Sequence, residues 1–452
     1  MAPSPLPPRS SGCSVDEPVY YVLGGNQQIG LPAMQGATRA ASMRRAQCIL
    51  YRWMDWERGA LELPEVHGAV LTAASPKLCA FLRDRSYPVI NMSNASGPKE
   101  GMGNMLSDDA AVGRLAAVFL RQRGFRRFLV ISAGAGWIAH EERAAGFCEA
   151  IREAGFPVEH ESVSIRSDSS VKRTPKGYID FMRAQMSRFL ATTPLGCGIF
   201  ATNDDIALFA QQVMRGFYPE HLDASGVLGV DNTMEGTGYY GTLPGLSSIV
   251  PAFEEMGAAA MEWLLDHPGA CGKPIVSDVL RRFPPVDVVE RSSTATGACS
   301  DPLTARIIRW TWEQMCRGER IHVSDMARFH GLNRKALERR FAQFTDGTPG
   351  DLIARLRLDR ARNLLRTTRL SIAEISETCG YAKQDVLSRA LRRENGCTPI
   401  EFRRSAQAER AAADRARIAG RAVPPDQGMS TRSRQKRGEP GNGVSGGVTV
   451  TR

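Results

Sequence analysis

The stretch Ile372–Leu391, IAEISETCGYAKQDVLSRAL, contains an apolar helix pattern, a Gly-Tyr turn and a second helix rich in polar side chains. Upstream, the segment Val323–Phe341, VSDMARFHGLNRKALERRF, has the same layout. Each segment places a small residue four positions before a glycine: Ala327 and Gly331, Ser376 and Gly380. The small residue allows two helices to cross closely, and the glycine suits the tight left-handed turn between them. The repeat predicts two helix-turn-helix units.

The second helix of each unit carries a polar stripe opposite its apolar face. Leu337 and Phe341, or Leu387 and Leu391, are expected to face inward. The side chains expected to contact DNA are Arg334, Lys335 and Arg339 in the first unit and Lys383, Gln384, Ser388 and Arg389 in the second. Such side chains can make bidentate contacts with base edges and charge-assisted contacts with phosphates.

A segment between the two units predicts a long connecting helix. Its sequence is TPGDLIARLRLDRARNLLRTT, residues 348–368, and its arginines include Arg355, Arg357, Arg360 and Arg362. A rigid helix there would hold the two units about 34 Å apart, one turn of B-DNA, and Arg357 is interpreted as a phosphate contact. One such hairpin alone is more often an ordinary helical turn, but two copies joined by an arginine-rich helix favour DNA binding.

This C-terminal segment resembles the AraC-type DNA-binding domain over about a hundred residues. The matching positions are Ile321, Ala327, Gly331, Leu337, Arg340-Phe341, Gly347-x-Pro349, Arg357-Leu358, Ala361, Leu364-Leu365, Ile372, Ile375, Gly380-Tyr381, Gly396-x-x-Pro399 and Phe402-Arg403. Ser376 stands where the family usually has alanine, and Leu387 and Leu391 stand where it usually has phenylalanine. The resemblance implies sequence-specific binding to double-stranded DNA.

Composition and charge limit the class of protein. The 452 residues suggest two or three domains, and no stretch is apolar enough to span a membrane. The formal charge of +10 is concentrated after Asp301, which favours a polyanion partner for that part alone, although a solvated basic surface is the plain alternative. Scattered cysteines and the lack of an apolar leader favour a reducing cytoplasm, with neither structural metal nor cofactor.

Residues 19–291 alternate short apolar strands with amphipathic helices. Continuous apolar strands separated by helices predict parallel sheets covered on both faces, and the length predicts two lobes with a cleft between them. The composition then shifts, so we expect a disordered lead-in at 1–18, a linker at 292–302, an all-α double helix-turn-helix domain at 303–405, and a basic disordered tail at 406–452.

Polar residues that follow predicted strands, where open α/β sheets bind ligands, are candidates for a ligand site. They are Asp108, Trp137, Arg143, Asn203 and Asp231. Carboxylates, an amide and an arginine can bond sugar hydroxyls, and an aromatic plate can stack on the ring. Each residue alone is more often a helix cap or a loop-end residue, and it is their shared location that favours a sugar site.

The two-lobed segment resembles the periplasmic-binding-protein-like effector domain of LacI-type repressors. The matching runs are HGAVL, YPVIN, Arg143-x-x-Gly146-Phe147, Thr202-Asn203-Asp204, Gly229-Val230-Asp231-Asn232 and Leu246-Ser247-Ser248-Ile249. The resemblance implies that Arg143, Asn203 and Asp231 bind the effector, together with an aspartate at Asp108. The effector domain precedes the DNA-binding domain here, the reverse of the LacI-type order.

Together these patterns predict a one-component transcription regulator in which a sugar, such as a pentose, closes the two lobes. Expected partners are operator DNA, the sugar, a second copy of the chain and RNA polymerase. Residues 19–291 contain no Gly-x-Ser-x-Gly, no phosphate-binding loop ending in Lys-Ser/Thr and no His-x-x-x-His, which argues against an enzyme. The alternatives are a DNA-binding protein whose cleft has lost or changed its ligand and a transport-type binding protein.

Overall fold

The computed structural model describes most of the chain between residues 18 and 408. The described ranges are 18–24, 27–52, 67–72, 76–84, 88–164, 175–232, 245–267, 279–295, 299, 301–345, 347–368, 370–406 and 408. Almost all of the expected disordered lead-in and basic tail therefore lies outside the described residues.

Two six-stranded sheets form the first part of the molecule. The strands are β1 (Val19–Gly24), β2 (Gln47–Arg52), β3 (Gly68–Leu71), β4 (Val89–Asn91), β5 (Gly103–Ser107), β6 (Phe128–Ala133), β7 (Val158–Val163), β8 (Gly198–Ala201), β9 (Gly226–Val230), β10 (Ser247–Val250), β11 (Leu280–Phe283) and β12 (Asp287–Val289). The first sheet has the order β11-β5-β4-β3-β1-β2 with every pairing parallel. The second has the order β12-β10-β9-β8-β6-β7, and its β12 pairs antiparallel with β10.

Helices cover these sheets and make up the C-terminal region. They are α1 (Gln27–Met43), α2 (Pro76–Asp84), α3 (Asp109–Gln122), α4 (Ile138–Glu153), α5 (Pro175–Leu190), α6 (Asp204–Phe217), α7 (Pro219–Ala224), α8 (Phe253–Asp266), α9 (Ser292–Ala295), α10 (Pro302–Cys316), α11 (Val323–Phe329), α12 (Arg334–Phe344), α13 (Pro349–Thr367), α14 (Ile372–Thr378) and α15 (Gln384–Asn395). No described helix is long and apolar enough to cross a membrane.

The chain crosses between the two sheets at three places. It leaves β5 of the first sheet and enters α3, whose apolar face packs on the second sheet through Val112 and Leu120. It leaves β10 of the second sheet and enters α8, which packs on the first sheet. It returns a last time between β11 and β12. We call the first sheet with its helices lobe 1 and the second lobe 2; the predicted two-lobed α/β architecture is confirmed.

A close helix crossing in lobe 2 places the first polar residues of the cleft. A Cβ atom added to Gly113 on α3 would lie 2.1 Å from the carbonyl oxygen of Arg143 on α4. Gly146 makes the reciprocal approach, because a Cβ there would lie 2.3 Å from the carbonyl oxygen of Ala110. Any side chain at either position would force the helices apart. The two glycines therefore allow α3 and α4 to pack this closely.

Every described element after β12 is helical, and helices α10 to α15 are called the reader. Gly331 and Gly380 have φ of 65° and 74°, so both inter-helix turns take the predicted left-handed conformation. Leu337, Phe341, Leu387 and Leu391 are buried as predicted. The two units have separate apolar cores, and α13 contributes to both of them. The predicted pair of helix-turn-helix units joined by a long helix is confirmed.

Candidate functional site

The N-terminal part of α4 places an arginine in the centre of lobe 2, facing the crossover from lobe 1. Arg143 donates from Nε to Oδ1 of Asp109 at 2.7 Å and from Nη1 to the carbonyl oxygen of Thr202 at 2.7 Å. Its Nη1 also lies 3.3 Å from Oδ1 of Asp231. Burial alone would lower the pKa of the Arg143 guanidinium, but the two carboxylates outweigh it and raise that pKa. The arginine therefore stays charged inside a buried set of polar groups.

Asp231 owes its place to an unusual backbone conformation directly after β9. Asp231 and Asn232 have φ of 98° and 45°, which turns the chain sharply at the carboxyl end of the strand. Arg291 stabilises this turn by donating to Oδ1 of Asn232 at 2.8 Å. Burial raises the pKa of the Asp231 carboxyl, while Arg143 opposes the shift. This strained turn directs a carboxylate toward the arginine.

A neutral histidine lies one turn before the arginine on α4. His140 Nδ1 lies 2.7 Å from the Thr202 hydroxyl, and burial, aided by the Arg143 charge, lowers the pKa of the imidazole to about 3. Trp137 precedes α4 and meets the His140 ring edge to face, with centroids 6.1 Å apart. At neutral pH the histidine is an uncharged donor and acceptor, which suits a ligand with hydroxyl groups.

Glu142 joins the two lobes across the cleft. Its carboxylate accepts two bonds from Arg282 on β11 of lobe 1, at 2.8 and 3.0 Å, and one from Nδ2 of Asn94 at 2.9 Å. Asn94 Nδ2 also donates to Asp109 at 2.7 Å. The backbone N–H groups of Ile138 and Ala139 donate to the carbonyl oxygens of Ala95 and Asn94. The N-terminus of α4 is thus bonded to the loop after β4, and these bonds connect the two lobes.

The start of α6 adds three polar residues to the same side of lobe 2. Asn203 caps the helix, its Oδ1 accepting from the backbone of Ile206 at 2.9 Å, and Asp204 accepts from the Ser248 hydroxyl at 2.7 Å. Burial, aided by the nearby Asp231 charge, raises the pKa of Asp205 to about 6. Asp205 can therefore change its protonation state at mildly acidic pH.

Among the residues predicted to bind a ligand, Arg143 and Asp231 form one ion pair, with Trp137 and Asn203 on the adjoining helix starts. Asp108 behaves differently: its Oδ1 accepts from the backbone of Ala111 at 2.9 Å, and it lies 3.8 Å from exposed Arg114. The carboxylate that meets Arg143 is that of the next residue, Asp109. The sequence also gave no reason to select His140, Glu142, Asn94 and Arg282.

On the reader, the side chains predicted to contact DNA lie on the outer surfaces of α12 and α15. Six of them are exposed, namely Arg334, Lys335, Arg339, Lys383, Gln384 and Arg389, and Ser388 is half-buried. Arg334 Nε bonds the Glu338 carboxylate at 2.8 Å, an exposed pair that a phosphate or base can displace at little cost. The arrangement leaves both outer helix faces accessible to a large partner.

The connecting helix α13 directs three of its arginines toward neighbouring parts of the reader. Arg357 donates from Nη2 to the carbonyl oxygen of Ile321 at 3.1 Å, and Arg362 bonds Oδ1 of Asn395 at 2.6 Å. Arg360 donates to the carbonyl oxygen of Cys316 at 3.0 Å. The guanidinium of Arg357 is half-buried against the first unit, and its interpretation as a phosphate contact stays a prediction. Among these arginines Arg355 alone is exposed.

Two family models define the class of protein to which this arrangement corresponds. Residues 117–294 match a periplasmic binding protein-like domain, and residues 326–405 match a helix-turn-helix domain. The chain therefore combines a periplasmic-binding-protein-like domain with a C-terminal AraC-type reader, and its class is that of a DNA-binding transcription regulator.

The chain aligns with curated relatives over most of their length. The chain is 28% identical to the xylose operon regulatory protein of Escherichia coli (strain K12) over 332 residues, 71% of this chain and 80% of the relative. It is 26% identical to the xylose operon regulatory protein of Haemophilus influenzae over 352 residues, 75% of this chain and 85% of the relative. The chain is homologous to these regulators.

A solved structure described as the xylose-binding transcription activator xylR superposes with a TM-score of 0.59 at 22% identity, covering 86% of this chain and 98% of that one. At this identity the likeness shows the fold. No group of three or more His, Cys, Asp or Glu side chains among the described residues is arranged to hold a metal ion.

Proposed function

We propose that the protein is a one-component regulator in which a sugar, a pentose such as xylose, binds between the lobes and changes how the reader binds operator DNA. The observation that carries this proposal is the buried set around Arg143, which brings two carboxylates, a carbonyl oxygen and a neutral histidine to the place where the lobes meet. Sugar hydroxyls both donate and accept, so this mixture suits them better than a uniformly charged ligand.

Homology supports a pentose as the first ligand to test, since two relatives are named as xylose operon regulators. The ligand is expected to reach Arg143 and Asp231 from lobe 2 and the Asn94 loop from lobe 1. Contact with both lobes would favour the closed arrangement that Glu142 already supports. The proposal includes a homodimer acting in the cytoplasm on promoter DNA, with RNA polymerase as a further partner.

Ligand binding is tested by thermal unfolding and isothermal titration with D-xylose, other pentoses and hexoses. A ligand at a hundred times its Kd should stabilise the protein by about 2.7 kcal/mol. Arg143→Ala should lose the response, and Arg114→Ala should keep it, because Arg114 is exposed and lies 3.8 Å from Asp108, beyond hydrogen-bond distance. Failure of every sugar to bind the wild-type protein contradicts the sugar assignment.

DNA binding is tested by selecting duplexes from a randomised pool and measuring their affinity by fluorescence anisotropy at physiological salt. We expect a selected sequence to bind about a thousandfold or more tighter than random DNA. Equal affinity for the selected and random duplexes contradicts a sequence-specific reader.

One observation favours the alternative in which the cleft has lost or changed its ligand. The Nε and Nη1 atoms of Arg143 already have partners within the chain, namely Asp109, Asp231 and the Thr202 carbonyl oxygen. In that case the set is a structural cross-link, and DNA binding is the same with and without every sugar tested.

A further inference from the structure

The reader is attached to lobe 2 through a buried ionic contact. Asp223 on α7 accepts from Nε of Arg306 at 2.8 Å and lies 3.3 Å from Nη1 of Arg309, both on α10. Arg309 also donates to the carbonyl oxygen of Leu222. We call these contacts the Asp223 junction. They connect the first helix of the reader to the effector domain.

The two arginines of the junction differ in burial. The side chain of Arg309 is 14% exposed and that of Asp223 is 12% exposed, whereas that of Arg306 is 53% exposed. Burial lowers the pKa of the Arg309 guanidinium, and the Asp223 charge opposes this shift. A buried charge without its partner is strongly unfavourable, so Arg309 must follow Asp223 when Asp223 moves. Arg306 lies at the solvent-exposed rim and is under no such constraint.

The junction is connected directly to the ligand cleft. Helix α6 begins at Asp204, beside the Arg143 set, and ends at Phe217. Only Tyr218 separates it from α7, which carries Asp223. An α-helix rises about 1.5 Å per residue, so α6 spans roughly 20 Å from the cleft toward the reader. A movement of lobe 2 that shifts α6 therefore reaches Asp223 through one intervening residue and the short helix α7.

The covalent connection is also packed against both domains. In the segment assigned from sequence to a linker, Ser293 donates to the carbonyl oxygen of Val227 at 2.6 Å, and the hydroxyls of Thr294 and Ser247 lie 2.7 Å apart. Ala295 and Cys299 pack in the apolar core of the first helix-turn-helix unit. The reader is thus fastened to lobe 2 at two points, by α9 and by the Asp223 junction.

We propose that the Asp223 junction transmits the state of the cleft to the reader, through α6 and α7 on one side and Arg309 on the other. This inference rests on the proposed function, because it takes a ligand as the input. It assigns lobe 2 and the reader to one unit, so that ligand binding changes the position of this unit relative to lobe 1. The residue that matters most is the buried Arg309, and Arg306 contributes little.

The experiment uses the full-length protein and measures three quantities for each variant: the Kd for D-xylose, the Kd for a selected operator duplex with and without D-xylose, and the thermal unfolding profile. The variants are Asp223→Asn and Arg309→Lys, with Arg306→Ala as a control that removes the exposed partner of the same carboxylate. Coupling between two sites typically changes affinity 5- to 150-fold. Asp223→Asn and Arg309→Lys should reduce the ratio of the operator Kd values without and with D-xylose to below about twofold. The Kd for D-xylose in the absence of DNA and the Kd for the duplex in the absence of D-xylose should each change by less than about threefold.

The unfolding profile tests the junction without reference to any ligand. Wild-type protein and Arg306→Ala should unfold lobe 2 and the reader together, whereas Asp223→Asn should separate them into two transitions. A folded Asp223→Asn or Arg309→Lys protein with one transition and an undiminished xylose effect overturns the proposal. A wild-type protein that ignores every sugar overturns the proposed function instead, and separated transitions in Asp223→Asn would still support the junction as the link between the domains.

Discussion

The cleft and the reader both depend on arginines, but they use them in opposite ways. In the cleft, Arg143 is buried and its donors are directed at Asp109, Asp231 and a carbonyl oxygen. On the reader, Arg334 and Arg339 are exposed on one helix surface, and Arg334 bonds Glu338, a neighbour on the same helix. Cleft arginines therefore organise the protein itself, whereas those of α12 and α15 are available to an external polyanion.

This contrast predicts where a substitution will have its effect. Removing a buried, paired charge leaves its partners without compensation and lowers the free energy of unfolding. Removing an exposed arginine changes that free energy little and is detected only when the partner is present. Variants of the two regions should therefore separate cleanly between stability measurements and DNA-binding measurements.

The largest effect is expected for Arg143→Ala, which leaves Asp109 and Asp231 buried without their cation. We expect the free energy of unfolding to fall by about 3–5 kcal/mol, measured by urea denaturation. The double variant Arg143→Ala/Asp109→Ala should be less destabilised than the sum of its single variants, because it removes both charges together. A loss below about 1 kcal/mol would show that the buried Asp109 and Asp231 carboxylates tolerate the absence of their cation.

Arg334→Ala should affect DNA binding alone. If Arg334 contacts a base edge, the selected duplex should lose about 1–3 kcal/mol of binding free energy, and preference should relax at one base position. Arg317→Ala, an exposed substitution at the end of α10, should leave base preference unchanged. A uniform loss across all sequences for Arg334→Ala would assign it to phosphate instead.

Asp205 gives the cleft a pH-dependent term in its stability. Its pKa is raised from 3.8 to about 6, so the folded protein holds a proton that the unfolded chain releases at lower pH. Stability is therefore lost as pH rises from 3.8 through about 6. Asp205→Asn should raise the free energy of unfolding at pH 8 by about 1–3 kcal/mol and by less at pH 5. The same gain at both pH values, or a gain equal to that of the exposed control Glu220→Gln, contradicts this assignment.

Arg357 sharpens the comparison because it belongs to the reader but is bonded like a cleft residue. Arg357→Ala removes a half-buried bond to the Ile321 carbonyl oxygen and should cost about 1 kcal/mol of unfolding free energy. Arg355→Ala, two residues earlier and exposed, should cost less than about 0.5 kcal/mol. Unchanged stability with weaker binding to all DNA sequences would favour a phosphate contact by Arg357.

Much of the reader could be predicted from the sequence because its signals are local. A glycine four residues after a small residue requires one turn conformation, and Gly331 and Gly380 adopt it. Apolar residues at helical spacing predict the buried faces of α12 and α15, as Leu337 and Leu391 show. The spacing of the two units along DNA remains a prediction.

The cleft was harder to predict because its partners are far apart in the chain. Arg282 and Glu142 are 140 residues apart, and no local pattern connects them. Asp108 and Asp109 are adjacent, and only the geometry of α3 decides that the first caps the helix and the second reaches Arg143. The short strand that carries Arg282 joins lobe 1 late in the chain, after β10 and α8 of the crossover.

The sequence by itself determined the class of the protein: two lobes of parallel strands followed by a paired helix-turn-helix reader. Helical periodicity, glycine turns and charge distribution act over short stretches, so they can be read without a fold. Tertiary structure alone decided which charges are neutralised within the chain and which remain available. The segment Ile372–Leu391 shows both. The left-handed turn at Gly380 was predictable from the sequence. The position of Arg357, whose guanidinium lies 3.5 Å from a Cβ built on Gly380, depends on how α13 packs.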